Sequence, residues 1–260
     1  MPILGVDDEK CTRCLECIKD CPTQNFSLEE KQEQIVFNGS RCILCGHCIA
    51  VCSANAILYE DMKDEPFEFT ENQDPCDISY ESLHKFLRVK RSTRQYQSKK
   101  IPKEILNKVI NSMRYAPTGA NMRFFKCIII TNNKKKNLLT NAIINALESR
   151  DTRETFNNMR MKGLDPIFFN APHILIFYSK NPWDTRNVTI AMTYGMLSAQ
   201  SLGLGTCWIG FAHGVLQDHR AIAKKFTGIE TYILGVMTLG YPAVKYYRAP
   251  PRPSIEIDEL

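Results

Sequence analysis

Eight of the eleven cysteines in this 260-residue chain fall into two runs of identical spacing, C-x2-C-x2-C-x3-C. The first run is Cys11, Cys14, Cys17 and Cys21; the second is Cys42, Cys45, Cys48 and Cys52. Each cysteine of the second run stands 31 residues after its counterpart, so the pattern is an internal repeat. Lys10 with Arg41, and Phe26 with Ile57, extend the echo. Three thiolates two residues apart can wrap one face of an iron–sulfur cubane from a tight loop. Paired zinc sites instead separate C-x2-C pairs by a longer gap. A disulfide framework has no need of a fixed offset, and nothing in the chain points to secretion. The first ten residues carry Asp7, Asp8 and Glu9 and no apolar core, so no secretory signal is expected. The spacing therefore predicts two [4Fe–4S] clusters on eight thiolates, and with them the handling of electrons.

Residues 1–62 resemble bacterial-type two-cluster ferredoxins. That resemblance implies crossed ligation, in which the last cysteine of each run serves the other cluster. Cys11, Cys14, Cys17 and Cys52 are then expected to hold one cluster, and Cys42, Cys45, Cys48 and Cys21 the other. Pro22 follows Cys21 as in the family, whereas Ser53 follows Cys52, a departure that bears on local loop geometry and potential. His47 reads as a surface residue, because the thiolate count is already complete. Of the remaining cysteines, Cys127 and Cys207 sit in apolar runs and read as small buried hydrophobes, while Cys76 falls in a connecting stretch.

Composition narrows the rest. With 33 basic and 28 acidic residues the formal charge is +5, too small an excess to indicate nucleic acid. The run Lys134-Lys135-Lys136 reads as a solvated helix face. No stretch of eighteen apolar residues exists, so no membrane span is expected, and a reducing, cytoplasmic location is the corresponding expectation. From Asp61 to Asp77 the chain turns acidic and is interrupted by Pro66 and Pro75. The expected organisation is a cluster domain over 1–62, an acidic linker over 63–78 and a second domain over 79–260.

The second domain alternates helical and strand patterns. Helices are predicted at 80–90 (capped by Ser79), from Pro102 to about Tyr115, and at 134–149, 184–202 and 214–226. Strands are predicted at Cys127–Thr131, His173–Tyr178, Thr206–Gly210 and Tyr232–Leu239. The expected fold class is α+β, with a mixed central sheet surrounded by helices. Beyond Pro242 the tail is expected to be extended, since Pro250, Pro251 and Pro253 exclude helix.

No G-x-G-x-x-G or G-x-x-x-x-G-K-[ST] motif occurs, and Gly203-Leu204-Gly205 follows a helix rather than a strand, so it reads as a helix C-cap and turn. Lys90-Arg91-Ser92-Thr93-Arg94 joins three cations to two hydroxyls, a phosphate-binding composition. This string resembles the opening motif of the nitroreductase family of flavoenzymes. Ala116-Pro117-Thr118-Gly119-Ala120-Asn121 resembles that family's A-P-S-x-x-N turn, and Ala171–Ile176 its central strand. Gly203–Gly210 resembles its G-L-G-x-x-W-x-G segment, and Leu239–Ala243 its closing G-Y-P. Five motifs in order cover residues 80–260.

The resemblance implies FMN at the interface of a homodimer. It places Arg91, Ser92 and Arg94 on the FMN phosphate, with Arg252 as a further contact and Arg248 a weaker candidate. Asn121 would hydrogen-bond the isoalloxazine edge, with Pro117 and Thr118 shaping the turn around it, and Trp208, Ile209 and Gly210 would run beside the ring. Two departures stand out: Arg123 replaces the usual Gln, and Phe125 an aromatic Trp. Arg123 either adds a charge that favours anionic flavin or substrate, or pairs with a nearby acid. Phe168 and Phe169 read as core, with the open flavin face as the alternative. His173, His213 and His219 read as structural or surface residues, and no protein nucleophile or general base is expected; the chemistry belongs to the cofactor. The implied activity passes electrons from the clusters to FMN and on to a small-molecule acceptor, a nitro compound or a quinone. Its donor is either NAD(P)H or a redox protein. The alternatives are an NAD(P)H-driven reductase with secondary clusters and an electron carrier without turnover of its own.

Overall fold

The computed structural model describes residues 2–61, 64, 66, 67, 69 and 77–259. Most of the expected acidic linker, Cys76 included, lies outside the described residues. The chain divides into two compact units: Met1–Asp77 with Gly119–Met122, and Ile78–Thr118 with Arg123–Leu260.

The first unit contains β1 (Ile3–Val6), α1 (Glu16–Lys19), β2 (Phe26–Glu29), β3 (Gln34–Phe37), α2 (His47–Val51) and β4 (Ile57–Tyr59). β1 pairs with β4 and β2 with β3, both antiparallel. The 31-residue repeat of the sequence is also a repeat of the backbone. β1 and β3, α1 and α2, and β2 and β4 begin 31 residues apart. Left-handed φ values recur at the same offset: 57° and 54° at Arg13 and Leu44, 67° and 79° at Leu15 and Gly46, 52° and 47° at Gln24 and Asn55. Each such non-glycine residue costs on the order of 1–2 kcal/mol, which the surroundings must hold in place. The apolar core available for that consists of Ile3, Phe26, Ile35, Cys48 and Ile57. Two-stranded pairs on so small a core are marginal without staples.

The second unit opens with α3 (Tyr80–Val89), whose Ser79 side chain accepts from the Ser82 N–H as an N-cap. There follow α4 (Lys103–Ser112), β5 (Lys126–Ile130), α5 (Asn133–Asn145), α6 (Arg150–Met161), β6 (His173–Ser179), α7 (Thr185–Ser201), β7 (Gly205–Trp208), α8 (Gly210–Asp218), α9 (Arg220–Thr227) and β8 (Tyr232–Gly240). The sheet order is β5-β6-β8-β7. All its ladders are antiparallel, and the parallel element of this mixed arrangement is a single bridge, Ser92 to Thr206.

Both faces of the sheet are covered. Ile174 and Ile176 of β6 pack with Leu139, Ile143, Ala212 and Leu216 on one side. Leu175 and Phe177 pack with Val109, Val188, Ala191 and Met192 on the other. A central strand buried on both faces is apolar nearly throughout, which is why Ile174–Phe177 shows no alternation, with buried His173 and Ser179 at the strand ends. Beyond residue 243 the tail forms no helix or strand among the described residues.

Several boundaries differ from expectation for local reasons. The helix expected at 134–149 ends at Asn145, and α6 is a separate helix, N-capped by Ser149 accepting from the Thr152 N–H. The strand expected to reach Gly210 stops at Trp208; the Ile209 N–H still bonds the Val236 carbonyl before α8 begins. The helix expected at 214–226 starts four residues earlier and breaks at His219, whose ψ of 69° is not helical. Lys136 is not solvated: it is 7% exposed, and its Nζ donates to the carbonyls of Ala171 and Pro172. Burial lowers its pKa.

Candidate functional sites

In the first unit the eight repeat cysteines line two separate cavities. Cys11, Cys14, Cys17 and Cys52 share one with Val6, Leu15, Ile35 and Ile57. Cys21, Cys42, Cys45 and Cys48 share the other with Ile3, Phe26 and Phe37. These are the groupings that crossed ligation requires. The reason lies in the fold: after α1 and α2 the chain carries Cys21 and Cys52 away from their own loops, and the antiparallel β1–β4 and β2–β3 pairs return each to the other half. Among the described residues no three His, Cys, Asp or Glu side chains converge on a single ion. A cubane asks for less convergence, since each thiolate takes its own iron.

The thiols differ in their surroundings. Burial pushes Cys48 up to about 11, and the neighbouring Cys45, Cys42 and Cys21 add to the shift. Burial, then Cys11 and Cys14, raise Cys17. Burial also acts against ionisation of Cys21, but donation from Asn25 and Thr23 outweighs it and leaves that thiol below its ordinary value. The Asn25 N–H reaches Cys21 Sγ at 3.3 Å, and the Ala56 N–H reaches Cys52 Sγ at 3.2 Å, one more pair at the repeat offset. Backbone donors of this kind favour thiolate, the form that binds iron.

The second unit contains a cavity of about 840 Å³, within the range of small-molecule and cofactor sites. Arg94, Phe169, Trp208, Ile209 and Gly210 line it, with Glu148, Ser149, Phe211 and His219 among the rest. Arg94 stands 5.9 Å from the centroid of the Phe169 ring. Phe169 holds a φ of 55°, an outlier for a bulky residue and a mark of local strain at the cavity wall. Its neighbour Phe168 is fully buried in the core. Trp208 meets His213 edge to face at 6.0 Å, and His213 Nε2 lies 3.2 Å from the Ile233 carbonyl. α8 begins at the cavity wall, and its first-turn N–H groups have no acceptor within the helix.

The strip that carries Arg94 is fixed to the sheet. The Thr93 N–H donates to the Thr206 carbonyl at 2.9 Å, beside the Ser92–Thr206 bridge. The approach is close enough that a Cβ on Gly205 would sit 2.4 Å from Thr93 Oγ1. Gly203, with φ 72°, ends α7 as the expected left-handed cap.

Of the residues expected around FMN, the cavity thus brings together Arg94, Trp208, Ile209 and Gly210. The others lie outside its wall. The Arg91 guanidinium turns back on the carbonyls of Lys90 and Arg88. Ser92 is exposed, and its carbonyl accepts from the Tyr246 hydroxyl at 3.5 Å. Pro117 is exposed; Thr118 Oγ1 is buried without a hydrogen-bond partner among the described residues. Arg252 and Arg248 stand in the tail, Arg252 exposed. Asn121 belongs to the first unit. Sequence reasoning missed Glu148, Ser149, Thr152, Phe211 and Asp218; the one local signal was Ser149 as an N-cap, which marks the turn that builds that wall.

Of the cysteines outside the two runs, Cys207 is buried as expected, whereas Cys127 is only partly buried. Cys207 is 2% exposed, and burial pushes Cys127 up to about 12. No helix among the described residues is long and apolar enough to cross a membrane.

Comparison with known proteins agrees with both units. The nitroreductase family model matches residues 87–241, and a 4Fe-4S dicluster domain model matches residues 3–53. A nitroreductase with bound FMN from Bacteroides fragilis superposes with a TM-score of 0.55 at 25% identity, covering 68% of this chain and 98% of that one. A putative NADH dehydrogenase/NAD(P)H nitroreductase from Methanothermobacter thermautotrophicus is 23% identical over 165 residues, 60% of this chain and 75% of its own. A 7Fe ferredoxin from Hydrogenibacillus schlegelii is 33% identical over 67 residues, 26% of this chain and 76% of its own. The chain spans only 12%, 8% and 25% of the length of three other curated relatives. The first unit carries a dicluster ferredoxin domain, and the chain belongs to the nitroreductase family.

Proposed function

We propose that this protein is an FMN-dependent oxidoreductase that takes in electrons through two [4Fe–4S] clusters and delivers them to a nitro compound or a quinone. The observation that carries the reading is the 840 Å³ cavity, in which Arg94 meets Trp208, Ile209 and Gly210 from distant parts of the sequence. When bound, the clusters supply one-electron steps and FMN supplies the exchange between one and two electrons.

The chain's own residues bind and orient. Arg94 offers the cavity a fixed positive charge for a phosphate. The start of α8 adds the positive end of a helix dipole, which favours negative charge on a group placed there. Trp208, Ile209 and Phe169 give an apolar wall that excludes water and strengthens those interactions. The wall formed by Glu148, Ser149 and His219 leaves room for an acceptor. Arg91, Ser92, Pro117, Thr118 and Arg252 are proposed FMN contacts on the family resemblance alone.

A homodimer fits the exposed surface. α3 buries none of its residues, although Leu83, Leu87 and Val89 are apolar, and the tail exposes Tyr247, Ile255 and Ile257. Apolar groups arranged this way suit burial by a second copy.

The test is anaerobic. The protein is reduced by a low-potential one-electron donor such as reduced methyl viologen and mixed with menadione or a nitrofuran. The proposal expects bleached cluster and flavin absorbance, both reoxidised together by the acceptor. Flavin that responds to NADPH while the clusters stay oxidised would instead favour the reading with secondary clusters.

A further inference from the structure

The two halves of the first unit are nearly equivalent, but their cysteine loops are held differently. Arg13 and Leu44 are counterparts at the 31-residue offset, both with left-handed backbone. Arg13 sends its own Nε to the Glu33 carbonyl. The second loop receives an outside donor instead: Asn121 Nδ2 lies 2.8 Å from the Ile43 carbonyl and 2.6 Å from the Leu44 carbonyl. Ile43 and Leu44 are the two residues between the ligand positions Cys42 and Cys45. An amide nitrogen carries two donors, matching the two carbonyls, while the amide oxygen would be repelled there, so the contacts define the orientation of the side chain. Ala120 and Asn121 both hold left-handed φ values, 48° and 54°, a conformation that persists only where the surroundings impose it.

We propose that Asn121 is a positioning residue for the cluster of Cys21, Cys42, Cys45 and Cys48, its amide locking the Cys42–Cys45 loop. The inference rests on the two-cluster reading and adds to it a difference between the clusters. In a planar trans peptide the C=O and the following N–H point in opposite directions. Pinning the Ile43 and Leu44 carbonyls toward Asn121 therefore aims the Leu44 and Cys45 N–H groups the other way. Hydrogen bonds to cluster sulfur are one of the levers on potential. The lock makes one of two repeated clusters distinct in potential and in hold on its iron. It also commits to the loop the amide that the family resemblance assigns to the flavin edge.

Two variants of the full-length holoprotein test this. Asn121→Asp keeps the shape and the left-handed backbone but removes both donors. Asn121→Gly removes the amide with no charge and no backbone strain. Both are read by electron paramagnetic resonance of the reduced protein, potentiometric titration, iron release to a chelator and FMN content. The expected result, in both variants, is a shifted signal and potential for one cluster and a loss of half the iron about 10–100-fold faster. The other cluster and the FMN content stay as in the wild type. Unchanged clusters with lost FMN would overturn the inference and return Asn121 to the flavin. A shift in Asn121→Asp alone would reduce it to a charge effect and overturn it as well. A wild-type protein without iron would instead sink the two-cluster reading beneath it.

Discussion

Replacing Cys48 with alanine is expected to remove one cluster and to unfold most of the first unit at a temperature the wild type withstands. Cys48 is the most buried of the eight repeat cysteines, at 9% exposure, and belongs both to a cluster cavity and to the five-residue core. The substitution therefore deletes a ligand and a core side chain together. The loss cannot stay local, because that core must hold the left-handed residues of both cysteine loops, among them Arg13, Leu15, Leu44 and Gly46. Metal-binding free energy here is folding free energy, so the unit without iron has little left to order it. Iron is expected to fall from about eight to about four per chain or fewer. Cys127→Ala, at a partly buried cysteine outside both runs, keeps all its iron and serves as the control. Eight irons in the Cys48 variant would contradict the assignment of that ligand.

Gly205→Val is the second large effect. A Cβ at this position would meet Thr93 Oγ1 at 2.4 Å, Cβ at 2.7 Å and Cγ2 at 2.8 Å. Thr93 is β-branched, 4% exposed and tied through its own N–H to the Thr206 carbonyl, so it has nowhere to turn. Overpacking of this kind costs about 1–3 kcal/mol. Because Thr93 adjoins Arg94, the strip displaced is the one that brings a cation to the cavity, and FMN retention is expected to fall with stability. Arg94→Ala separates the two effects. Its side chain is exposed, so stability should change by less than about 0.5 kcal/mol while FMN binding weakens. Retained FMN in Arg94→Ala would remove Arg94 from the proposed phosphate contact.

Much of this was legible in the sequence because the controlling interactions are local or periodic. The cysteine spacing sets loop geometry directly, and the 31-residue offset carries through to strands, helices and left-handed residues alike. β6 was readable because burial on both faces leaves an unbroken apolar run. The early start of α8 was not, since it follows the tertiary pairing of Ile209 with Val236, and the break at His219 is a single non-helical ψ within an otherwise continuous helical pattern. Lys136 was misread for a similar reason: nothing in a lysine run announces that two carbonyls from residues 171 and 172 will draw one ammonium inside. The cavity wall at Glu148, Ser149 and Phe211 is assembled from the α5–α6 connection and the start of α8, which share no motif. Asn121 sits in a recognisable motif, but its contact with residues 43 and 44 spans about eighty positions that no local pattern encodes.

Whether cluster and flavin chemistry share this one chain is decided by cofactor analysis of the protein purified without oxygen. The proposed function requires about eight irons, about eight acid-labile sulfides and one FMN per chain. Full iron without flavin would leave a carrier rather than an oxidoreductase, and flavin without iron would leave the eight cysteines unexplained; either result contradicts it.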